Sequence, residues 1–145
     1  AMGETDKGLV RIRGAWIEGD FSRTQSRAFY KRFREILSPA DHLARLDRLL
    51  WDGRHSAARR LLPLVNKSWQ RLAQARIALR RRAGNVDALI RRVPKSLKLH
   101  PGLVFERLRW RRRKNLDTAL ELAKTLEIGL PRAEITYHIC LKRAK

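Results

Sequence analysis

Cysteine is almost missing from this chain: Cys140 stands alone, which excludes an internal disulfide framework and any thiolate metal cluster. Long apolar runs are missing as well. Arginine interrupts every hydrophobic stretch, so none approaches the roughly 20 residues of a membrane-spanning helix and the chain is expected to be soluble. Ala1-Met2-Gly3 reads as a cloning remnant, and the residues after it lack the apolar core of a secretory signal. No segment shows strict alternation or β-branched enrichment, which leaves no candidate strand. Carboxylates are scarce too. Fourteen Asp plus Glu against 34 Lys plus Arg leave a formal net charge of +20, far beyond what solubility requires. Nucleic acid, an acidic membrane face and an anionic cell-wall polymer all suit that excess, and charge alone does not separate them.

Helical periodicity fills the rest, and a chain of 145 residues is long enough for one ordinary core. The spacing predicts a helix over Val10 to Glu18, with Val10, Ala15 and Trp16 inward, stopped at Gly19. A second runs from Ser22 to Ile36. Ser38-Pro39 then restarts the chain as an N-cap and first helical residue. Leu43, Leu46, Leu49 and Leu50 line the next helix, which Gly53 ends. A short helix over Ser56 to Pro63 precedes a strongly amphipathic one over Ser68 to Arg82, where Trp69, Leu72, Ala73, Arg76 and Leu79 recur at three- and four-residue steps before Gly84. Asn85 to Val93 is brief and ends at Pro94. Pro101-Gly102 opens a helix toward Asn115, and Asp117 to Leu126 pairs with it.

The stops repeat. Gly19, Gly53, Gly84 and Asn115 fall 34, 31 and 31 positions apart by subtraction of their numbers, and all accept the left-handed conformation that closes a helix. Small residues stand four positions later at Ala57, Ala88 and Ala119, and Trp16, Trp51 and Trp110 recur before the turns. A period in the low thirties with one internal turn predicts an all-α chain, an α-solenoid of stacked helical hairpins. The expected organisation is a flexible N-terminus over residues 1–8, a helical-repeat domain over 9–126 and a diverged helix or tail over 127–145.

The stretch Ser38-Pro39-Ala40-Asp41-His42-Leu43-Ala44-Arg45-Leu46-Asp47-Arg48-Leu49-Leu50-Trp51-Asp52-Gly53-Arg54 resembles the helical superhelix of soluble lytic murein transglycosylases of alphaproteobacteria. So do the stretches Ala57 to Pro63, Leu72 to Leu79 and Val93-Pro94, and the run from Pro101 to Lys114; the likeness covers roughly residues 10 to 123. The resemblance implies a non-catalytic superhelix in a periplasmic protein, with peptidoglycan or a protein partner against it. In that family a separate lysozyme-like domain does the chemistry. From Leu126 onward the sequence departs from the family's next hairpin, and a cytoplasmic nucleic-acid-binding or regulatory protein reusing this architecture is the alternative.

No catalytic constellation emerges. Glycoside cleavage in that family uses a Glu followed by Ser, and no Glu here is followed by Ser. Glu106, between Phe105 and Trp110, has Arg107, Arg109 and Arg113 beside it, which reads as an ion-paired helix carboxylate. His42, His55, His100 and His138 lack metal-site spacing and read as cap or surface residues. Cys140 reads as a packed side chain. No nucleophile signature or phosphate loop is present, so neither a metal nor another cofactor is expected. The tryptophans, Trp69 included, read as core. The functional signal is arginine. Arg107, Arg109, Arg111, Arg112, Arg113 and Lys114 crowd one helix, Arg80, Arg81 and Arg82 end another, and Arg91 and Arg92 end a third. Complementing helix dipoles accounts for one or two of these per end, so the clusters are the candidate polyanion-binding residues.

Overall fold

The computed structural model describes residues 2–112, with side chains from Asp6 onward. Among the described residues the protein is all-helical. Its helices are α1 (Met2–Glu18), α2 (Arg23–Phe33), α3 (Pro39–Trp51), α4 (His55–Leu61), α5 (Lys67–Arg81), α6 (Val86–Arg92) and α7 (Pro101–Arg112), with 3-10 turns at Leu62–Leu64 and Lys95–Leu97. Arg113, Lys114, Asn115, Ala119, His138, Cys140, the expected helix over Asp117 to Leu126 and the 127–145 segment lie outside the described residues. The chain divides into two compact units, residues 1–73 and 74–145, with the boundary inside α5.

In the first unit α1 packs on α3, and α3 on α4. Trp16, 1% exposed, anchors α1, and half-buried Ile12 and Leu9 precede it by four and seven positions on the same face. Val10 falls about 120° away from Trp16 at 100° per residue, so it is 70% exposed rather than inward. Ala15 is exposed for the same reason. The helix also starts earlier than its periodicity predicts, at Met2. Ser22 caps α2 and exchanges bonds with Gln25 in a capping box, laying Phe29 over Trp16 at 5.7 Å between ring centroids. Ser38 caps α3 with Asp41 as its return partner and Pro39 in the first turn, as expected. Leu46, Leu49 and Leu50 of the α3 stripe are buried, and Leu43 is half-buried. Gly53 adopts φ 73° between α3 and α4, the left-handed closure its place predicts. The small residue that lets α4 approach is Ala58, fully buried, one position after the expected Ala57.

Two arginines of α3 close the end of α1. Arg45 donates from Nη1 to the carbonyls of Trp16 and, at 2.9 Å, Gly19. Arg48 donates from Nε to Ile17 at 2.7 Å and from Nη2 to Gly19 at 3.2 Å. The last carbonyls of a helix have no partner within it, and a guanidinium supplies both donors and compensating charge. Arg45 is buried between aromatic faces, its Cζ 4.5 Å from the Trp16 ring centroid and 5.0 Å from that of Phe21. Burial, and then neighbouring Arg48, draw its pKa down to about 10. Gly19 does not take the left-handed turn expected of it; among the described glycines Gly53 does. A Cβ on Gly19 would collide with the Ala15 carbonyl and the Phe21 ring, so close approach explains this glycine.

The second unit takes its core from α5, α6 and α7: Ala75, Ile77, Ala78 and Leu79, then Val86, then Leu103, Val104 and Leu108. Arg76, which the inward periodicity of α5 includes, is indeed buried. Its guanidinium lies where any Cβ on Gly102 would have to go, so the first turn of α7 tolerates no side chain at that position. His100 caps α7, its Nδ1 accepting the Gly102 N–H at 3.2 Å.

Candidate functional site

The left-handed residue that ends α5 is Arg82, with φ 58°, and not Gly84. Ala83 N–H donates to the Ala78 carbonyl at 3.0 Å and Arg82 N–H to Leu79 at 3.3 Å, the paired closure in which glycine is usual at the turning position. A non-glycine residue there carries on the order of 1 kcal/mol of strain. The turn aims an exposed guanidinium outward two residues before the expected stop.

Beside this turn lies a cleft of about 430 Å³, lined by Arg80, Arg82, Gly84, Asp87, Arg109 and Trp110 with apolar residues behind them. Three of the sequence-predicted arginines therefore meet here, from the end of α5 and from α7. They are not equivalent. Arg82 and Arg109 are exposed, whereas Arg80 donates from Nη1 to Oε1 of Glu106 at 3.2 Å. Arg81 is exposed next to them on α5. Arg91 and Arg92 are exposed at the far end of α6, about 8 Å along the helix from Asp87 at 1.5 Å per residue. Arg107 is half-buried, and burial followed by the neighbouring Arg111 lowers its pKa while Asp87 opposes the shift. Arg111 and Arg112 are half-buried, and Arg113 and Lys114 lie outside the described residues.

Glu106 is 2% exposed. It is ion-paired, as expected, and the partner is Arg80 of α5. Burial raises its pKa above the ordinary carboxylate range, and Arg80, Arg109 and Arg76 pull it back. Its second oxygen, Oε2, has no hydrogen-bond partner. The group faces the α5–α7 packing and does not line the cleft.

His42 departs from expectation. It is buried, neither cap nor surface, and its Nδ1 accepts the Trp16 indole N–H at 3.1 Å. Burial lowers its pKa, against a smaller raising influence from Asp41. Trp16 is core, while Trp51, Trp69 and Trp110 are half-buried. Among the described residues no three His, Cys, Asp or Glu side chains come together as a metal site, and no helix is long and apolar enough to cross a membrane. No protein-family model, curated protein or solved structure gives a significant match to the chain.

Proposed function

We propose that this chain is a non-enzymatic helical binding module that holds an anionic polymer through the arginines of its second unit. The charge balance there carries the reading. Between Gln74 and Arg112 twelve Lys or Arg stand against two carboxylates, Asp87 and Glu106, and Glu106 is already tied to Arg80. The first unit handles its cations differently: Arg48 pairs with Asp20 and Asp52, and Arg54 with Asp20. Exposed pairs contribute little energy, but they do cancel charge that a polymer would otherwise meet. Arg81, Arg82, Arg91, Arg92 and Arg109 are exposed in the second unit, where the field of so many cations adds up.

The finer architecture belongs to the same proposal. The helices are read as members of an α-solenoid similar to the transglycosylase superhelix. In support, α3 and α4 form a hairpin closed at Gly53, and the left-handed Arg82 comes 29 positions later by subtraction. On that resemblance the polymer is peptidoglycan and the location periplasmic; a nucleic acid in the cytoplasm is the alternative. Binding without catalysis is favoured by Glu106, the carboxyl that its flanking Phe105 and Trp110 make the most tempting acid in the sequence, whose place is in helix packing.

Affinity for heparin and for duplex DNA, measured across a salt series, is the test. Each phosphate contacted adds about −0.9 to the slope of log affinity against log salt, so replacing Arg81, Arg91 and Arg92 by Gln should flatten the DNA slope by up to about 3. An unchanged slope would show those arginines to be scaffold. Incubation with purified sacculi should release no anhydromuropeptides above a blank, and their release would end the non-enzymatic reading.

A further inference from the structure

We propose that the cleft between the α5 turn and α7 seats one nucleotide of a single-stranded nucleic acid, its base against Trp110 and its phosphate between Arg82 and Arg109. The inference rests on the anionic-polymer reading and, on the shape of the cleft, takes the nucleic-acid alternative over peptidoglycan. A bare polyanion needs only cations on a convex surface. Here the two exposed guanidiniums flank a concavity of about 430 Å³ whose lining includes a half-buried indole, and that size lies within the range of small-molecule sites. Guanidinium groups hold phosphate oxygens in a bidentate fork. An indole face offers a stacking surface to any base, which is why such platforms are indifferent to sequence.

Asp87 narrows the choice. Asp87 lines the same cleft, where a negative charge disfavours a ligand made of anions alone. A nucleotide presents donors within reach of its phosphate, in ring N–H groups such as that of thymine, in exocyclic amines or in sugar hydroxyls, and these suit an acceptor. Arg80, Arg82 and Arg109 outnumber this one acid in the lining, so the cleft keeps a net positive character. Duplex is the poorer ligand, since its base faces are stacked on one another inside the helix and only their edges are exposed in the grooves, which leaves no plane for an indole to meet. Gly84 leaves the outer side of the turn open, for a Cβ there would meet nothing within 4 Å. A strand can therefore run past the turn toward exposed Arg81.

The experiment compares the full chain with Trp110→Leu, which keeps apolar volume without an aromatic face, and with Trp110→Phe, which restores one. Probes are an oligothymidylate of about a dozen nucleotides, an abasic strand of equal length, a duplex, heparin and purified sacculi. Expected are tighter binding of oligothymidylate than of the abasic strand, and a loss of about 5- to 100-fold in Trp110→Leu for the base-containing strand only, the range that stacking of one base predicts. Trp110→Phe should recover most of that loss. Arg82→Gln and Arg109→Gln should each flatten the single-strand salt slope by about 0.7. If the abasic strand binds as tightly as oligothymidylate and Trp110→Leu changes nothing, the nucleotide seat is wrong while polymer binding stands. Sacculi bound more tightly than any strand, insensitive to Trp110→Leu, would also overturn it. Failure to bind heparin, DNA and sacculi alike would instead remove the anionic-polymer reading itself. Should Trp110→Leu melt below assay temperature, quenching of tryptophan emission by oligothymidylate in a variant with Trp51 and Trp69 replaced by Phe, present with that strand and absent with the abasic one, decides the same point, since of the two tryptophans left Trp16 is buried.

Discussion

His42 is a buried histidine hydrogen-bonded to a buried tryptophan. It shares the inward face of α3 with Leu46, Leu49 and Leu50, spaced at helical steps from it, yet isolated histidines suggest caps or surface. The face is the better guide. Because its Nδ1 accepts the Trp16 indole proton, the neutral ring carries its own proton on Nε2. Burial holds the folded pKa below the ordinary histidine value of 6.5, so the folded state binds fewer protons than the unfolded chain. The stability this group contributes is fully present above that value and is lost as pH falls through the folded pKa. The melting-temperature advantage of the parent over His42→Gln should accordingly shrink between about pH 7.5 and pH 5. An advantage constant across that range would contradict the assignment, and taking the difference removes the other histidines. Arg76 is legible from the stripe it completes on α5. Arg45 is not, although it stands on the same α3 face as the leucines, because a cation at a core position makes sense only once the carbonyl end of α1 is seen above it.

Helix starts are easier to read than helix stops. Ser38-Pro39 and Ser22 cap where their chemistry places them, since a short oxygen-bearing side chain satisfies the first free N–H groups from within a few residues of sequence. Stops depend on which residue takes the left-handed turn, and that is settled by packing as well as by glycine. Gly53 takes it, with φ 73°. Gly19 is required for space, and Gly84 gives way to Arg82. Gly53→Val should cost on the order of 1–2 kcal/mol, because a β-branched side chain is strained at positive φ. Chemical denaturation checks this through the midpoint at an unchanged slope. A variant as stable as the parent would mean the α3–α4 turn has relaxed to another conformation. Of the candidate site, the arginines are visible in the sequence as a charge excess. Their partition into ion-paired, half-buried and exposed members is not, since it depends on which of them α5 and α7 bring against Glu106 and Asp87.

Across the whole molecule, the all-helical class is legible in the periodicity, whereas the division into two compact units is not, because length bounds a core without locating its edges. The chain's charge has one more consequence, for its lifetime. A protease that cleaves after arginine needs an extended segment, which helix ends offer and buried helical residues do not. Within residues 74–112, limited trypsin digestion followed by mass spectrometry should find the first cuts after Arg81, Arg82, Arg91 and Arg92, exposed where α5 and α6 finish, and after Lys95, exposed in the link beyond α6, and the last after Arg76. Early cleavage at Arg76 would mean that α5 opens as readily as its ends. Polymer lying across those arginines would cover the same bonds. The amount of this protein in a protease-bearing compartment would then track the amount of its ligand, with no separate control needed to remove the unoccupied chain.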